Sequence, residues 1–293
     1  MITPPHSNAR TFLSELLPHE WVFGGWLAAM ALALAIIAGP ALPATGLFAA
    51  YALLSVALAV WCQRAPSPLR WRLRLLWYPS VMGLAFYSLP SAIAALRRPN
   101  ADALLAGLDE RLLGAPVAEK LAPLASPFST DVLLLAYLFF FVVLIFGPGY
   151  YCVKNLPLFR NCIVGLFSLY GVGFAGYVWL PAGGPYQFLG SLPPLPLGPL
   201  ATLMRPVIHV ASNGVDVFPS IHFAASLYLL VFDWRHFRRR FWWWLLPISA
   251  LWLSTVYLRY HYLVDLFVGL LVALFGLGVA KLQARSECLG MQV

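Results

Sequence analysis

FPSIH (Phe218–His222) is followed, one apolar hairpin later, by STVYLRYHYLVD (Ser254–Asp265), and an apolar run leads away from each stretch. His222 thus stands at the head of one hydrophobic segment, and His261 and Asp265 at the head of another. Outward from these two stretches the chain is a succession of such runs. A helix that crosses a bilayer needs about 20 mostly apolar residues. Candidate spans lie at 21–39, 46–62, 75–95, 130–147, 158–180, 220–234, 241–258 and 261–283. The third and the last are the clearest, and the sixth is short and carries His222 and Ser226. The pattern predicts an all-α, polytopic membrane helix bundle of eight transmembrane helices, with no internal repeat and no soluble domain.

Composition agrees. Hydrophobic residues make up 61% of the 293 and charged residues only 10%, against about 25% charged in a soluble domain. The formal charge is +8, from 19 Lys+Arg and 11 Asp+Glu. No basic stripe is interleaved with aromatics, so nucleic acid is not an expected partner. The basic residues cluster instead in short connections. Arg64, Arg70, Arg72 and Arg74 follow span two, Lys154 and Arg160 follow span four, Arg235, Arg238, Arg239 and Arg240 follow span six, and Lys281 and Arg285 end span eight. Alternating spans put all of these on one side, which the positive-inside rule makes cytoplasmic. The expectation is a multi-pass protein of the cell's inner, cytoplasmic membrane with both termini inside. The first run is expected to be retained as a span rather than cleaved as a signal. Cys62, Cys152, Cys162 and Cys288 then lie near the cytoplasmic face as thiols, without metal-ligand spacing.

Two segments on the opposite side do not span. In 100–125, Leu104, Leu105, Leu108 and Leu112 recur at helical spacing around Asp109, Glu110 and Arg111, as in an amphipathic helix lying on the membrane surface. Residues 181–219 are too rich in Pro and Gly to be helical throughout. Ordered loops of that length are commonly functional.

Ionisable side chains at the mouths of membrane helices are costly, which marks His222, His261 and Asp265 as functional candidates. Pro219 and Ser220 suit the first turn and cap of a helix, whose free N–H groups attract an anion such as phosphate. A histidine there is placed to donate a proton to a leaving oxygen. His261 and Asp265, four apart, share one helical face. A carboxylate accepting from one ring nitrogen leaves the other free as a nucleophile. The topology puts His222 and His261 on the same, extracytoplasmic side. Arg259 and Arg205 are candidates for neutralising phosphate charge. The bland readings assign His209 and Asp216 to solvent, Tyr257, Tyr260, Tyr262 and Trp242 to Trp244 to interfacial packing, and His236 to the cytoplasmic loop.

At these residues the chain resembles the type 2 phosphatidic acid phosphatase superfamily. Pro219, Ser220, Ile221 and His222 match its P-S-x-H motif. Ser254, His261 and Asp265 match its S-R-x-x-x-x-x-H-x-x-x-D motif, with Thr255 in place of the arginine. The run Ser254, Thr255, Tyr257, Leu258, His261, Tyr262, Val264, Asp265, Leu266 is similar to the inositol phosphorylceramide synthase branch, the aureobasidin target, which also carries Thr there. Pro181 to Tyr186 and Leu108 to Pro116 are weaker echoes of that branch. The superfamily's K-x-x-x-x-x-x-R-P motif is not recognisable.

The resemblance implies a six-helix catalytic core in 75–293, preceded by an N-terminal segment, 1–74, with two additional transmembrane helices. It implies that His261 forms a phosphohistidine, that Asp265 orients it, and that His222 protonates the departing lipid alcohol and then activates the acceptor. Ser220, Arg259, Arg205 and Tyr186 are the expected phosphate- and substrate-binding residues. No metal and no cofactor are implied. The expected partners are lipids with phosphorylated head groups, and the expected reaction is transfer of an inositol-phosphate type of group between lipids. Hydrolysis by water is the alternative. A non-enzymatic lipid transporter using the same residues as a proton relay is a second class.

Overall fold

The computed structural model describes residues 15–190 and 192–290, with the side chains of 209–211 and 287–290 outside it; the expectations for His209 and Cys288 therefore fall outside the described side chains. Apolar runs fold as helices because a helix satisfies its own backbone N–H and C=O groups away from water. All regular structure among the described residues is helical. In chain order the helices are α1 (Gly25–Ile37, entered through a π-helical turn, Glu20–Gly24), α2 (Pro43–Arg64), α3 (Pro68–Ala95), α4 (Asp102–Leu113), α5 (Val117–Leu121), α6 (Pro127–Lys154), α7 (Leu156–Trp179), α8 (Pro185–Phe188), α9 (Pro199–Ala211), α10 (Ile221–His236), α11 (Arg238–Tyr257) and α12 (Leu263–Gly290). Several starts are written in the local sequence. Ser67 and Ser126 each cap a helix whose first residue is proline, and Asn155 and Ser220 cap α7 and α10.

Each predicted span corresponds to one of these helices, but they are not equally apolar. Glu20–Ile37, Pro43–Arg64, Pro127–Lys154, Leu156–Trp179 and Leu263–Ser286 are long and apolar enough to cross a membrane. The third span, predicted to be one of the clearest, is not among them. It forms the 28-residue α3, but Pro79, Ser80, Ser88, Pro90 and Ser91 dilute its apolar character. At 16 residues α10 is short, and α11 opens with three arginines.

The most enclosed helix is α7, packed against α3, α6, α10 and α12, and α10 is in turn surrounded by α6, α7, α11 and α12. The packing is tight where it carries the FPSIH stretch. A Cβ on Gly176 of α7 would lie 2.3 Å from Cδ of Pro219, so only glycine admits the loop there.

The two ends of the bundle differ in chemistry. At one end Arg72 donates to the carbonyl of Cys152, and the guanidinium groups of Arg74 and Arg160 both lie over the Trp71 ring, 4.9 and 5.2 Å from its centroid. Two of the arginines used to orient the chain are in fact ion-pair partners of buried carboxylates, Arg74 itself buried and Arg240 partly so. Arg74 forms a two-pronged pair with Glu20, and Arg240 one with Asp233, which also accepts from Tyr151. Carboxylates lost in the apolar runs explain this: Glu20 and Asp233 are 8% and 1% exposed and need a cation. Cys62, Cys152 and Cys162 are free.

The other end holds the loops. The predicted surface helix is two pieces, α4 and α5, broken at Gly114, whose φ is 75°. Its faces are mixed: Leu105 is buried but Leu104 and Leu112 are exposed, and Glu110 and Arg111 are exposed while Asp102 and Asp109 are buried. The Pro- and Gly-rich segment is not a continuous loop either. It contains α8 and the 13-residue α9, which starts at Pro199 with its N–H groups capped by Asp131.

Candidate active site

The short α10 and the long α12 begin at this loop-bearing end. Ser220 is the N-cap of α10: its hydroxyl accepts from the N–H of Phe223 at 3.3 Å, and its own N–H donates to the Asp265 carbonyl at 3.1 Å. One residue into the helix, His222 projects from the first turn. The FPSIH stretch is thereby tied to the start of α12 through the main chain.

His261 is not on the same helix as Asp265, as the four-residue spacing had suggested. It occupies the turn between α11 and α12, and Asp265 is the third residue of α12. The two meet because Asp265 reaches back. Its Oδ2 accepts from the N–H of Tyr262 at 2.8 Å, the N3-to-N-cap half of a capping box, and lies 3.4 Å from Nδ1 of His261. The turn itself is fixed by Thr255, whose carbonyl accepts the N–H groups of both Tyr260 and His261 at 3.0 Å. The Thr255 hydroxyl turns inward to the Trp252 carbonyl. It does not stand in for a phosphate-binding arginine.

Two buried aspartates brace this turn from α4. Asp109 accepts from the N–H groups of Leu263 and Val264 at 2.8 and 2.9 Å, satisfying the first free donors of α12. Asp102 accepts from the N–H groups of Gly183 and Gly184 at 2.8 Å each and from the Tyr262 hydroxyl at 2.9 Å. Gly184 has φ 90°, and a Cβ there would lie 2.7 Å from the Tyr260 carbonyl oxygen, so the PAGGPY turn requires glycine. Burial raises the Asp109 carboxyl above its ordinary value, against the pull of the two N–H groups.

The result is a row of side chains drawn from three helices and a turn. Nδ1 of His222 lies 3.3 Å from Nε2 of His261, with ring centroids 5.5 Å apart. Nε2 of His222 lies 3.1 Å from the Tyr137 hydroxyl on α6. His261 is 2% exposed and Asp265 fully buried, while His222 is half-buried. Asp216, expected in solvent, is half-buried, and burial raises its carboxyl.

A model of the PAP2 superfamily matches residues 103–279, well over half of the chain, from α4 into α12. The chain belongs to the PAP2 superfamily. That membership carries a membrane lipid phosphatase or phosphotransferase type of activity. Searches of curated proteins and of solved structures found no match to the chain. All of the row, from Tyr137 to Asp265, lies inside the matched superfamily region.

The other predicted site residues sit less directly. Arg259 is buried, with φ 65°; its Nη1 donates to the Pro193 carbonyl at 2.8 Å, and its Nε meets no acceptor among the described residues. It tethers the Pro-rich segment to the turn that carries His261. Tyr186 donates its N–H to the Arg259 carbonyl at 2.9 Å and sets its ring edge-on to Tyr260. Arg205 is exposed on α9, and among the described residues no hydrogen bond links it to either histidine. Tyr257 is more than packing, for its hydroxyl bonds those of Ser129 and Thr130 at the start of α6.

Sequence reasoning passed over Tyr137, Asp102 and the inward aim of Asp109. Tyr137 had a signal: it is the single polar side chain in VLLLAYLFFFVVLIF (Val132–Phe146). Asp109 had only the weak echo of the synthase branch in Leu108 to Pro116, and Asp102 had none.

Proposed function

We propose that the chain is a membrane-embedded lipid phosphotransferase that moves a phosphorylated head group between lipids through a phosphohistidine on His261. The observation that carries this reading is the pairing of two imidazoles, Nδ1 to Nε2 at 3.3 Å, with a buried carboxylate behind the second. Asp265 holds the proton of His261 on Nδ1 and leaves the Nε2 lone pair as nucleophile. In the first step Nε2 bonds to phosphorus, the phosphorus–oxygen ester bond breaks, and the departing alkoxide takes a proton from Nδ1 of His222. In the second, an acceptor hydroxyl gives its proton back to Nδ1 of His222 and its oxygen attacks phosphorus. The nitrogen–phosphorus bond then breaks and His261 is restored. Asp265 balances the positive charge that His261 carries in between.

Transfer is favoured over hydrolysis by the surroundings. The nucleophile is almost wholly buried, Arg259, two residues before it, donates to the Pro193 carbonyl of the Pro-rich segment, and Leu195 of that segment packs on the apolar core. Such cover keeps water from a reactive intermediate. The inositol-phosphate type of head group and a ceramide-like acceptor follow from the resemblance of Ser254–Leu266 to the synthase branch. The site is assigned to the extracytoplasmic side of the cytoplasmic membrane, with both termini inside, on the distribution of basic residues. Residues 75–293 are assigned to the catalytic core and 1–74 to an added N-terminal segment.

The test uses purified protein and phosphatidylinositol labelled in its phosphate, with and without ceramide, followed by thin-layer chromatography. Acid-labile, base-stable label on the protein, absent in H261A, together with label passing to ceramide, supports the reading. Release of labelled inositol phosphate at the same rate with and without ceramide makes the protein a hydrolase. No label and no turnover, with lipid movement across vesicles intact in H261A, replaces the enzyme with a transporter.

A further inference from the structure

We infer that a groove between α2 and α3, at the end of the bundle away from the histidines, holds an acyl chain of one anionic phospholipid whose phosphate rests on Arg64 and Arg70. This is a bilayer lipid bound apart from the catalytic row.

The groove has a volume of about 400 Å³ and is lined by Leu58 and Trp61 of α2 and by Leu73, Leu76, Trp77 and Ser80 of α3. On the α3 side its polar groups are already bonded. The Trp77 indole N–H donates to the Ser55 hydroxyl at 2.7 Å, and the Ser80 hydroxyl donates to the Leu76 carbonyl at 3.2 Å. Such a wall suits hydrocarbon and not a polar ligand. From Arg70 at its mouth to Ser80, α3 rises about 15 Å. That is half of a hydrocarbon core about 30 Å thick. The groove is therefore about as deep as one leaflet, which is the reach of an acyl chain.

Its mouth carries positive charge without relief. Arg64 lies one turn beyond Trp61 on α2, and Arg70 one turn before Leu73 on α3, so both stand at the same end of the groove. The Arg70 guanidinium lies 4.5 Å from the centroid of the Trp61 ring, and its Nη1 donates to the Trp61 carbonyl at 3.0 Å. Among the described residues neither arginine pairs with a carboxylate. The stretch from 21 to 101 contains no Asp or Glu. The carboxylates buried at this end, Glu20 and Asp233, are taken by Arg74 and Arg240. Arg70 also sits in the first turn of α3, where the helix dipole disfavours a cation. A phosphate above an acyl chain supplies the missing charge, as in basic pockets between membrane helices that bind anionic head groups. A zwitterionic lipid brings its own cation to the same place and fits less well.

Native mass spectrometry of the full chain in detergent tests this, with phosphatidylglycerol, phosphatidylcholine of the same chains and glycerol phosphate as probes. Wild type is expected to hold one phosphatidylglycerol about tenfold more tightly than phosphatidylcholine. R64Q and R70Q should each weaken phosphatidylglycerol about fivefold and leave phosphatidylcholine unchanged. L73W fills the groove and should weaken both lipids. All three side chains are exposed or partly so, and the variants keep the fold. H261A, altered at the opposite end, should keep the bound lipid. No retained phosphatidylglycerol, equal affinity for both lipids, or unchanged binding in R64Q and R70Q overturns the inference. Glycerol phosphate held as tightly as phosphatidylglycerol overturns it in favour of a free-anion site. Loss of the lipid in H261A, with R64Q, R70Q and L73W like wild type, moves it to the histidines and overturns it as well.

Discussion

Nδ1 of His222 lies 3.3 Å from Nε2 of His261, although the whole α10–α11 hairpin separates the two residues. The contact is not made by the histidines themselves. The α10 side is set by the Ser220 cap and its bond to the Asp265 carbonyl, and the α12 side by Thr255, Asp109 and Asp102. A phosphoester oxygen entering between the rings would replace their mutual hydrogen bond with one of its own.

The two histidines should fail differently. H261A is expected to abolish phosphoenzyme and turnover together. H222A should still form some phosphoenzyme but slow turnover about 100- to 10,000-fold, the usual range for a lost general acid. Quench-flow labelling of purified variants separates these outcomes, and equal loss of label in both would contradict the division of roles.

Gly176 offers a test of the scaffold. A methyl group there would meet Pro219, whose backbone leads into Ser220 and His222. G176A is therefore expected to lower kcat by about tenfold or more through misplacement of His222, since small displacements at a reacting centre are costly. Wild-type kcat in a folded G176A protein would show that the approach is not as close as described.

Asp109 ties the site to pH. Its carboxyl is raised in the fold, so between the ordinary and the raised value the folded state binds more protons than the unfolded one. Stability should therefore fall as pH rises through that window. Asp216 shifts in the same direction and adds to the slope. D109N, which cannot titrate and loses one acceptor, should be less stable by about 0.5–2 kcal/mol, the range for a lost cap, with a flatter dependence. Unfolding in detergent from about pH 4 to 7, the span in which a raised carboxyl titrates, checks this; parallel curves for D109N and wild type would refute it.

At the far end of the bundle, Asp233 accepts two bonds from Arg240 and one from Tyr151. D233A leaves the partly buried Arg240 guanidinium without its carboxylate, held only by the Phe146 and Gly147 carbonyls, at an expected cost of about 3–5 kcal/mol. The chemistry should survive in whatever fraction stays folded. Denaturant titration beside activity per folded molecule measures both, and a loss below about 1 kcal/mol, the value of an exposed pair, would mean that the pair is hydrated.

The long helices were legible because a membrane run announces itself by length and apolarity. The residues His222, His261 and Asp265 were legible because ionisable groups stand out against such runs. What the sequence did not disclose depends on direction. Asp102 and Asp109 look like the polar face of a surface helix until their partners, the N–H groups of Gly183, Gly184, Leu263 and Val264, are in place. Arg74 and Arg240 look like loop charges because their carboxylates are distant in sequence or hidden in apolar runs. His261 and Asp265 do meet, but through a cap rather than a shared helical face, and spacing alone does not distinguish the two. Helix α9 was masked by the prolines around it, although a proline at its first position favours a helix start.

The measurement closest to the centre of this account is a structure of the purified protein with orthovanadate, which takes the five-coordinate shape of a phosphoryl group in transfer. Vanadium bonded to Nε2 of His261, with the opposite apical oxygen hydrogen-bonded to Nδ1 of His222, is the predicted result. Vanadate held elsewhere, for instance at Arg205, with the two rings still in direct contact, would contradict it.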